Sequence, residues 1–263
     1  MRRIFNAVGL DVHKLQPAGI SRMSMAGSLR QLVFLGLKPQ TVIDVGVAYH
    51  TQELYQEFRE ANILLIEPLA EFEPFLRKIC ATYNAQYVLA AAAETAGRAI
   101  LNVHRDKVGS SLLKEVEGAA VDGVPRQVPV VTIDEVCAEK NLNGPYLIKV
   151  DVQGAELRVL AGAMRTLRET EAVILEVTLF GTIISGPQFY NVVAFMKQYG
   201  FVAYDFCGFL YRPFDNALGQ VDMVFVREEG LFRRSHVFAT PEQRKVQFQG
   251  AEAEFAVQSK KQR

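Results

Sequence analysis

Apolar positions along the chain fall into two alternating rhythms. Short runs rich in β-branched residues occupy 41–45, 63–66, 87–90, 147–150 and 173–177. Between them, apolar residues recur three and four apart, as one face of a helix requires. Leu54 and Phe58 form one such face, and Phe72, Phe75, Leu76 and Ile79 another. Leu157, Leu160, Ala161, Met164 and Leu167 form a third, and Phe189, Val192, Val193 and Met196 a fourth, which Gly200 stops. The pattern predicts helices over 52–58, 71–80, 156–167 and 188–199, with a short one over 134–139. Strands alternating with helices predict an α/β fold, a mainly parallel sheet covered on both faces.

Two stretches break the alternation. Residues 99–103 and 127–131 both read as strands, separated by a polar segment with Gly109, Ser110, Ser111, Gly118 and Gly123. An inserted antiparallel β-hairpin with a long loop is expected there. Residues 201–206 and 223–226 close the series, with 208–220 reading as loop, which predicts a terminal antiparallel hairpin. Ahead of the first strand, residues 1–38 form a leader made basic by Arg2, Arg3, His13, Lys14, Arg22 and Arg30. A helix over 25–35, ended by Gly36 and Pro39, is expected to cap the domain or to serve as a lid or acceptor contact. Beyond 230 periodicity fades, so 231–263 reads as a tail and 39–230 as the domain proper.

Composition narrows the picture. With 263 residues, 49% hydrophobic and 22% charged, the chain is globular and long enough for one large core. Its 29 Lys+Arg balance 29 Asp+Glu, which argues against nucleic-acid binding through bulk positive charge. Cys80, Cys137 and Cys207 are too far apart for a disulfide framework or zinc cluster, and a reducing cytoplasm is the expectation. No apolar run is long enough to cross a bilayer, and no apolar segment of signal-peptide length follows Met1-Arg2-Arg3.

In parallel sheets ligands bind beyond the carboxyl ends of the strands. The first strand ends Asp44-Val45-Gly46-Val47-Ala48-Tyr49-His50, where Gly46 allows backbone to approach a ligand ahead of a helix N-terminus. The second ends at Glu67, whose carboxylate is placed to accept two ribose hydroxyls. Together they describe a nucleoside site. The loop has no G-x-G-x-x-G pattern, which argues against a pyrophosphate and hence against a nicotinamide dinucleotide.

Three segments carry a family resemblance: residues 42–46, residues 64–68 and residues 147–156, most specifically Lys149-Val150-Asp151-Val152-Gln153-Gly154-Ala155-Glu156. In this order they resemble the FkbM-type methyltransferases, class I enzymes that use S-adenosylmethionine. Two departures are visible: Gln153 stands where the family usually has an acid, and Ala48-Tyr49-His50 stand where it has further glycines or Asn-x-Gly. The resemblance implies a Rossmann-like, seven-stranded sheet with its last strand antiparallel. It implies that Gly46 and Val47 line the methionine part of the cofactor, with Asp44 near its amino group. Glu67 would hold the ribose, Pro68 and Leu69 would flank the adenine, and Ala91, Ala92 and Ala93 would add a wall. The implied acceptor is a hydroxyl on a sugar, glycan or natural-product-like small molecule.

For that reaction an acceptor hydroxyl must be aligned and must lose its proton. Asp151 is the first candidate base; it would equally serve as a cofactor contact or helix cap. His50 is the second, or a loop residue. Glu156 reads as a first-turn helix residue. Asp151 and Glu176 together offer oxygen ligands for a divalent cation, on weak grounds, and no metal-ligand set is assigned. Ser110 and Ser111 would contact cofactor or acceptor, or simply form a polar loop. Tyr204, Phe206, Phe209, Tyr211 and Phe214 would wall an acceptor pocket, or pack the sheet edge. The leading reading is an O-methyltransferase. The alternative is a catalytically weak, nucleoside-binding or protein-interaction relative with an altered cofactor loop.

Overall fold

The computed structural model describes residues 21–118 and 120–261. Arg2, Arg3, His13 and Lys14 of the basic leader lie outside the described residues. Seven strands form the main sheet: β1 (Thr41–Val45), β2 (Asn62–Ile66), β3 (Ala85–Val88), β7 (Tyr146–Val150), β8 (Thr170–Thr178), β9 (Phe201–Tyr211) and β10 (Leu218–Arg227). Their order is β3-β2-β1-β7-β8-β10-β9. All are parallel except β10, which runs antiparallel to both neighbours. A second sheet, β4-β6-β5, is built from β4 (Ala91–Ala92), β5 (Gly97–Val103) and β6 (Val124–Val131), with β5 and β6 forming the expected hairpin.

Period-two alternation divides the main sheet into two faces. Ile43, Val45, Ile148, Val150, Val173 and Leu175 point to one face. There they pack under α4 (Ile133–Glu139), α5 (Glu156–Ala161) and α6 (Phe189–Gln198), through Val136, Val159, Leu160, Val192 and Met196. Val42, Leu147, Ile174 and Val224 point to the other, under α1 (Met25–Phe34), α2 (Gln52–Glu57) and α3 (Glu73–Thr82). Leu29, Leu32, Leu54, Leu76 and Ile79 fill that layer. The leader helix α1 thus covers the sheet, held also by Arg22 on Asp205. A smaller core of Leu69, Phe72, Leu101, Val103, Val128 and Val130 joins the second sheet to the first.

Three segments differ from expectation. The helix predicted over 156–167 ends at Ala161, and a 3-10 turn follows at Thr166–Glu169. Gly162 presses so closely on Ala93 that a Cβ would lie 2.1 Å from the Ala93 carbonyl oxygen, so the chain turns there. Strands β9 and β10 extend through most of the segment read as loop, leaving only 212–217 at the tip; register shifts between the pair absorb its irregular pattern. Residues Pro241–Lys261 form a helix, α7, in the predicted tail. No helix among the described residues is long and apolar enough to cross a membrane.

Candidate active site

The same alternation that buries Val42, Leu147, Ile174 and Val224 carries charge to the carboxyl end of that face. One pleat further along come Asp44 on β1, Lys149 on β7 and Glu176 on β8, and on the antiparallel β10 comes Asp222. Asp44 and Lys149 are register partners, as are Asp222 and Glu176. Asp151 follows one residue after β7. Four carboxyl groups thus surround one ammonium.

Lys149 is 4% exposed and lies 3.1 Å from Asp151 Oδ2 and 3.8 Å from Asp44 Oδ1. Burial would push its ammonium toward neutrality, but Asp151, Asp44 and Asp222 outweigh burial and hold the proton more firmly than on a free lysine. Asp44 is fully buried. Its Oδ2 accepts from the Tyr55 hydroxyl of α2 at 2.5 Å, while its Oδ1 has no hydrogen-bond donor among the described residues. Burial raises its pKa despite Lys149 and Tyr55. Burial likewise raises Asp222 to about 6 against the pull of Lys149, and raises Glu176 well above the usual range, with Asp151 adding to the effect.

The turn after β7 is folded tightly. Gln153 adopts φ +54°, and its side-chain nitrogen donates to Asp151 Oδ1 at 3.1 Å and to Glu176 Oε2 at 2.6 Å. Glu156 reaches back from the first turn of α5, and its Oε1 accepts from the backbone N–H of Gly154 at 2.9 Å. Burial lifts its pKa to about 7. From the insertion, the Ser111 hydroxyl donates to the Gln153 carbonyl at 2.7 Å.

Beside this cluster a cleft of about 250 Å³ opens beyond the ends of β1, β2 and β7. It is lined by Gly46, Val47, Ala48, Tyr49, His50, Glu67, Pro68, Ala91, Ala92, Lys149 and Asp151, and by Lys107, Val108 and Ser110 from the insertion. Gly46 sits at φ +80°, and a Cβ there would stand 1.7 Å from the Asp151 carbonyl oxygen. Only glycine lets the β1 turn and the β7 end meet. Ala48 also has positive φ, +48°, and its N–H donates to Glu67 Oε2 at 3.0 Å. The Leu69 N–H donates to Glu67 Oε1 at 2.9 Å. Burial raises the Glu67 pKa against these two bonds. Tyr49 packs edge-on against Phe72 and Phe75.

The structure therefore brings Gly46, Val47, Glu67, Pro68, Ala91, Ala92, Asp151 and His50 to one cleft. His50 is exposed at its lip. Asp44 lies beneath it, against Tyr55 and Lys149, and Leu69 turns into the small core. Ser110 lines the cleft while Ser111 braces the turn after β7. The oxygens of Asp151 and Glu176 already face an ammonium and an amide. No group of three or more His, Cys, Asp or Glu among the described residues is arranged to hold a metal ion. Sequence reasoning assigned no role to Lys149, although it is a lone charge inside an apolar strand, to Asp222, which stands just ahead of the run 223–226, or to Tyr55, which reads as an ordinary core aromatic.

Residues 44–203 match the family model described as the Methyltransferase FkbM domain. The match spans more than half of the chain, and the protein belongs to the FkbM methyltransferase family. No curated protein matches it. Among solved structures it is similar to the magnesium protoporphyrin IX methyltransferase of Synechocystis PCC 6803 with bound S-adenosylmethionine. Identity is 12%, the TM-score 0.43, and 86% of this chain and 94% of that one are covered. It is also similar to the 1,6-didemethyltoxoflavin-N1-methyltransferase of Burkholderia thailandensis, at 10% identity and TM-score 0.42, over 79% of this chain and 78% of that one. A third is the fibrillarin pre-rRNA processing protein of Methanococcus jannaschii, at 12% identity and TM-score 0.43, over 79% and 76%. At this distance the acceptors of these proteins say nothing of this chain's.

Proposed function

We propose that the protein methylates a hydroxyl of a sugar, glycan or natural-product-like acceptor, with S-adenosylmethionine as donor. The observation that carries the reading is Asp151, which stands at the floor of the cleft with one oxygen on Lys149 and the other on Gln153. The residues present suit the cofactor. Each Glu67 oxygen spends one lone pair on a backbone N–H and keeps others for ribose hydroxyls. Ala91 and Ala92 offer a low apolar wall for a flat base. When bound, S-adenosylmethionine supplies a methyl group already activated on a positively charged sulfur. What remains for the chain is to align the acceptor oxygen and take its proton. Asp151 is assigned that role, with Lys149 and Gln153 fixing its direction. His50, at the lip, is assigned acceptor contact or a second proton relay.

The reading places the chemistry in residues 39–230, with 1–38 and 231–263 as appendages, and a cytoplasmic setting in keeping with three free thiols. The altered loop motivates the alternative of a catalytically weak, nucleoside-binding or protein-interaction relative. Against it stands Ala48, which holds a conformation suited to glycine and keeps its N–H on Glu67. Calorimetric titration with S-adenosylhomocysteine, with NAD as control, tests the assignment. Micromolar binding of the first alone is expected. Binding of neither, with the fold intact, would favour the interaction module.

A further inference from the structure

The loop Ala48-Tyr49-His50 puts an aromatic ring at the lip of the cleft. Tyr49 is 48% exposed, whereas Phe72, which also lines the cleft, is 3% exposed. Three features fix where the Tyr49 ring stands. Immediately before it Ala48 turns left-handed at φ +48°, a conformation that alanine adopts only at a cost. The Ala48 N–H is held by Glu67, so the turn is anchored at the end of β2. The ring then meets Phe72, of the 3-10 turn Ala70–Phe72, and Phe75 of α3. Ring centroids are 5.1 and 5.0 Å apart, with planes crossed at 81° and 89°. Such edge-to-face pairs hold a ring without stacking anything flat upon it. Phe75 has the Lys78 ammonium 5.6 Å from its ring centre, and Phe72 is buried. Tyr49 is the exposed member of the trio, and it is the one pointed along the β2 side of the cleft.

A ring kept for packing would gain most by following Phe72 into the small core. Tyr49 instead stays at the surface, held by its neighbours, next to the residue whose N–H meets Glu67. Glu67 is the carboxylate read as the ribose site, and a base joined to that ribose is one glycosidic bond away. Phe72 excepted, the apolar lining near it is aliphatic, with Pro68, Ala91, Ala92, Leu101 and Val108. We propose that Tyr49 is the platform on which the base of the bound nucleoside stacks, and that it makes this loop selective for a ligand with a flat aromatic base. The proposal rests on reading that ligand as S-adenosylmethionine. Where further glycines would bring backbone close to the ligand, this loop uses a side chain. The strain at Ala48 is then spent on aiming the ring. Adenine is apolar on its faces and polar at its edges, so an aromatic face suits it. Stacking a base on such a ring is worth roughly five- to a hundredfold in affinity.

The test needs no acceptor and no turnover. The chain contains no tryptophan, so Tyr49→Trp places a single fluorescent reporter at this position. Adenosine and S-adenosylhomocysteine should quench it, and methionine should not. Calorimetry then supplies the affinities. Tyr49→Leu keeps apolar bulk against Phe72 and Phe75 but loses the aromatic face. It should weaken adenosine and S-adenosylhomocysteine by the same factor, about fivefold or more. Tyr49→Phe keeps the ring and should restore both affinities to within about twofold of the parent. Unchanged affinities in Tyr49→Leu would overturn the proposal and leave the cofactor reading standing, with Tyr49 as packing. Equal losses in Tyr49→Phe and Tyr49→Leu would overturn it as well, because the hydroxyl would then be the contact. So would binding of S-adenosylhomocysteine to Tyr49→Trp without quenching. Binding of neither adenosine nor S-adenosylhomocysteine to the parent protein would overturn the cofactor reading, and the proposal with it.

Discussion

The two ends of the cleft bury acids in opposite ways. At the end near β2, Glu67 is 4% exposed, yet both of its oxygens are met by backbone N–H groups. Those donors come from turns whose shape is fixed by the chain, so the carboxylate is a finished part of the scaffold. At the end near β7, Asp44, Asp151, Glu176 and Asp222 are met by one ammonium, one amide and the Tyr55 hydroxyl. Backbone donors are spent in the sheet, and side chains must serve instead. Burial alone therefore does not mark a binding carboxylate; the supply of donors does. On the proposed reading the first end would take a neutral, hydroxyl-bearing ligand, whereas the second has more acids than side-chain donors to meet them.

Removing Lys149 breaks the contrast most sharply. Lys149→Met would leave the fully buried Asp44 and the half-buried Asp151 without their cation. Loss of one partner from a buried charged group costs about 3–5 kcal/mol. Urea unfolding should show a loss of that size. A loss below about 1 kcal/mol would mean that water or protonation already relieves the acids. Glu67→Ala tests the other end and should be milder. It strips the Ala48 and Leu69 N–H groups of their acceptor, so it should lower stability by about 1–3 kcal/mol. It should also weaken S-adenosylhomocysteine binding by a similar amount. Unchanged affinity alongside the stability loss would make Glu67 a purely structural brace of the two turns.

The different fates of these acids explain what could be read from sequence. The sheet, its two faces and the inserted hairpin were legible because burial imposes period two on strands such as 147–150, and helical spacing on segments such as 188–199. That Glu67 and Asp151 would reach one cleft was legible because residues at the carboxyl ends of neighbouring parallel strands share one edge of the sheet. Asp222 was hidden because β10 runs antiparallel, so the residue that pairs with Glu176 lies in mid-strand instead of at a strand end, just ahead of the apolar run 223–226. The bridge made by Gln153 was hidden because it depends on a φ of +54° that no periodicity encodes. Strand β9 was cut short for a similar reason: its register shifts break the alternation on which strand recognition depends.

A pH series separates the ends again, with a smaller effect. Glu156 and Asp222 have folded-state pKa values raised to about 7 and about 6, above the 4.5 and 3.8 of an unfolded chain. Between about pH 4 and pH 7 the folded state therefore binds more protons than the unfolded state. Stability should then fall as pH rises through that window, the opposite of a carboxylate held low by a salt bridge. Thermal unfolding between pH 5 and pH 7.5 should show the midpoint declining with pH. Glu156→Gln should flatten part of the slope. A midpoint that rises across this range would mean that the acids are better paired than their burial implies.

The smallest effect belongs to Ala48, where the altered loop meets the finished end of the cleft. A left-handed alanine costs about 1–2 kcal/mol relative to ordinary backbone, which glycine avoids. Glycine in turn gives up about 0.5–1 kcal/mol in unfolded-state entropy. The two nearly cancel, so Ala48→Gly should change stability by under about 1 kcal/mol, in the stabilising direction. Its N–H keeps the bond to Glu67 in either case, so affinity for S-adenosylhomocysteine should move by less than about threefold. A tenfold gain in affinity would show that the alanine methyl narrows the cleft, and that the departure from the family's glycine-rich loop weakens cofactor binding. Near-equal affinity would show that this loop needs the left-handed conformation and the N–H it presents, and that alanine supplies both.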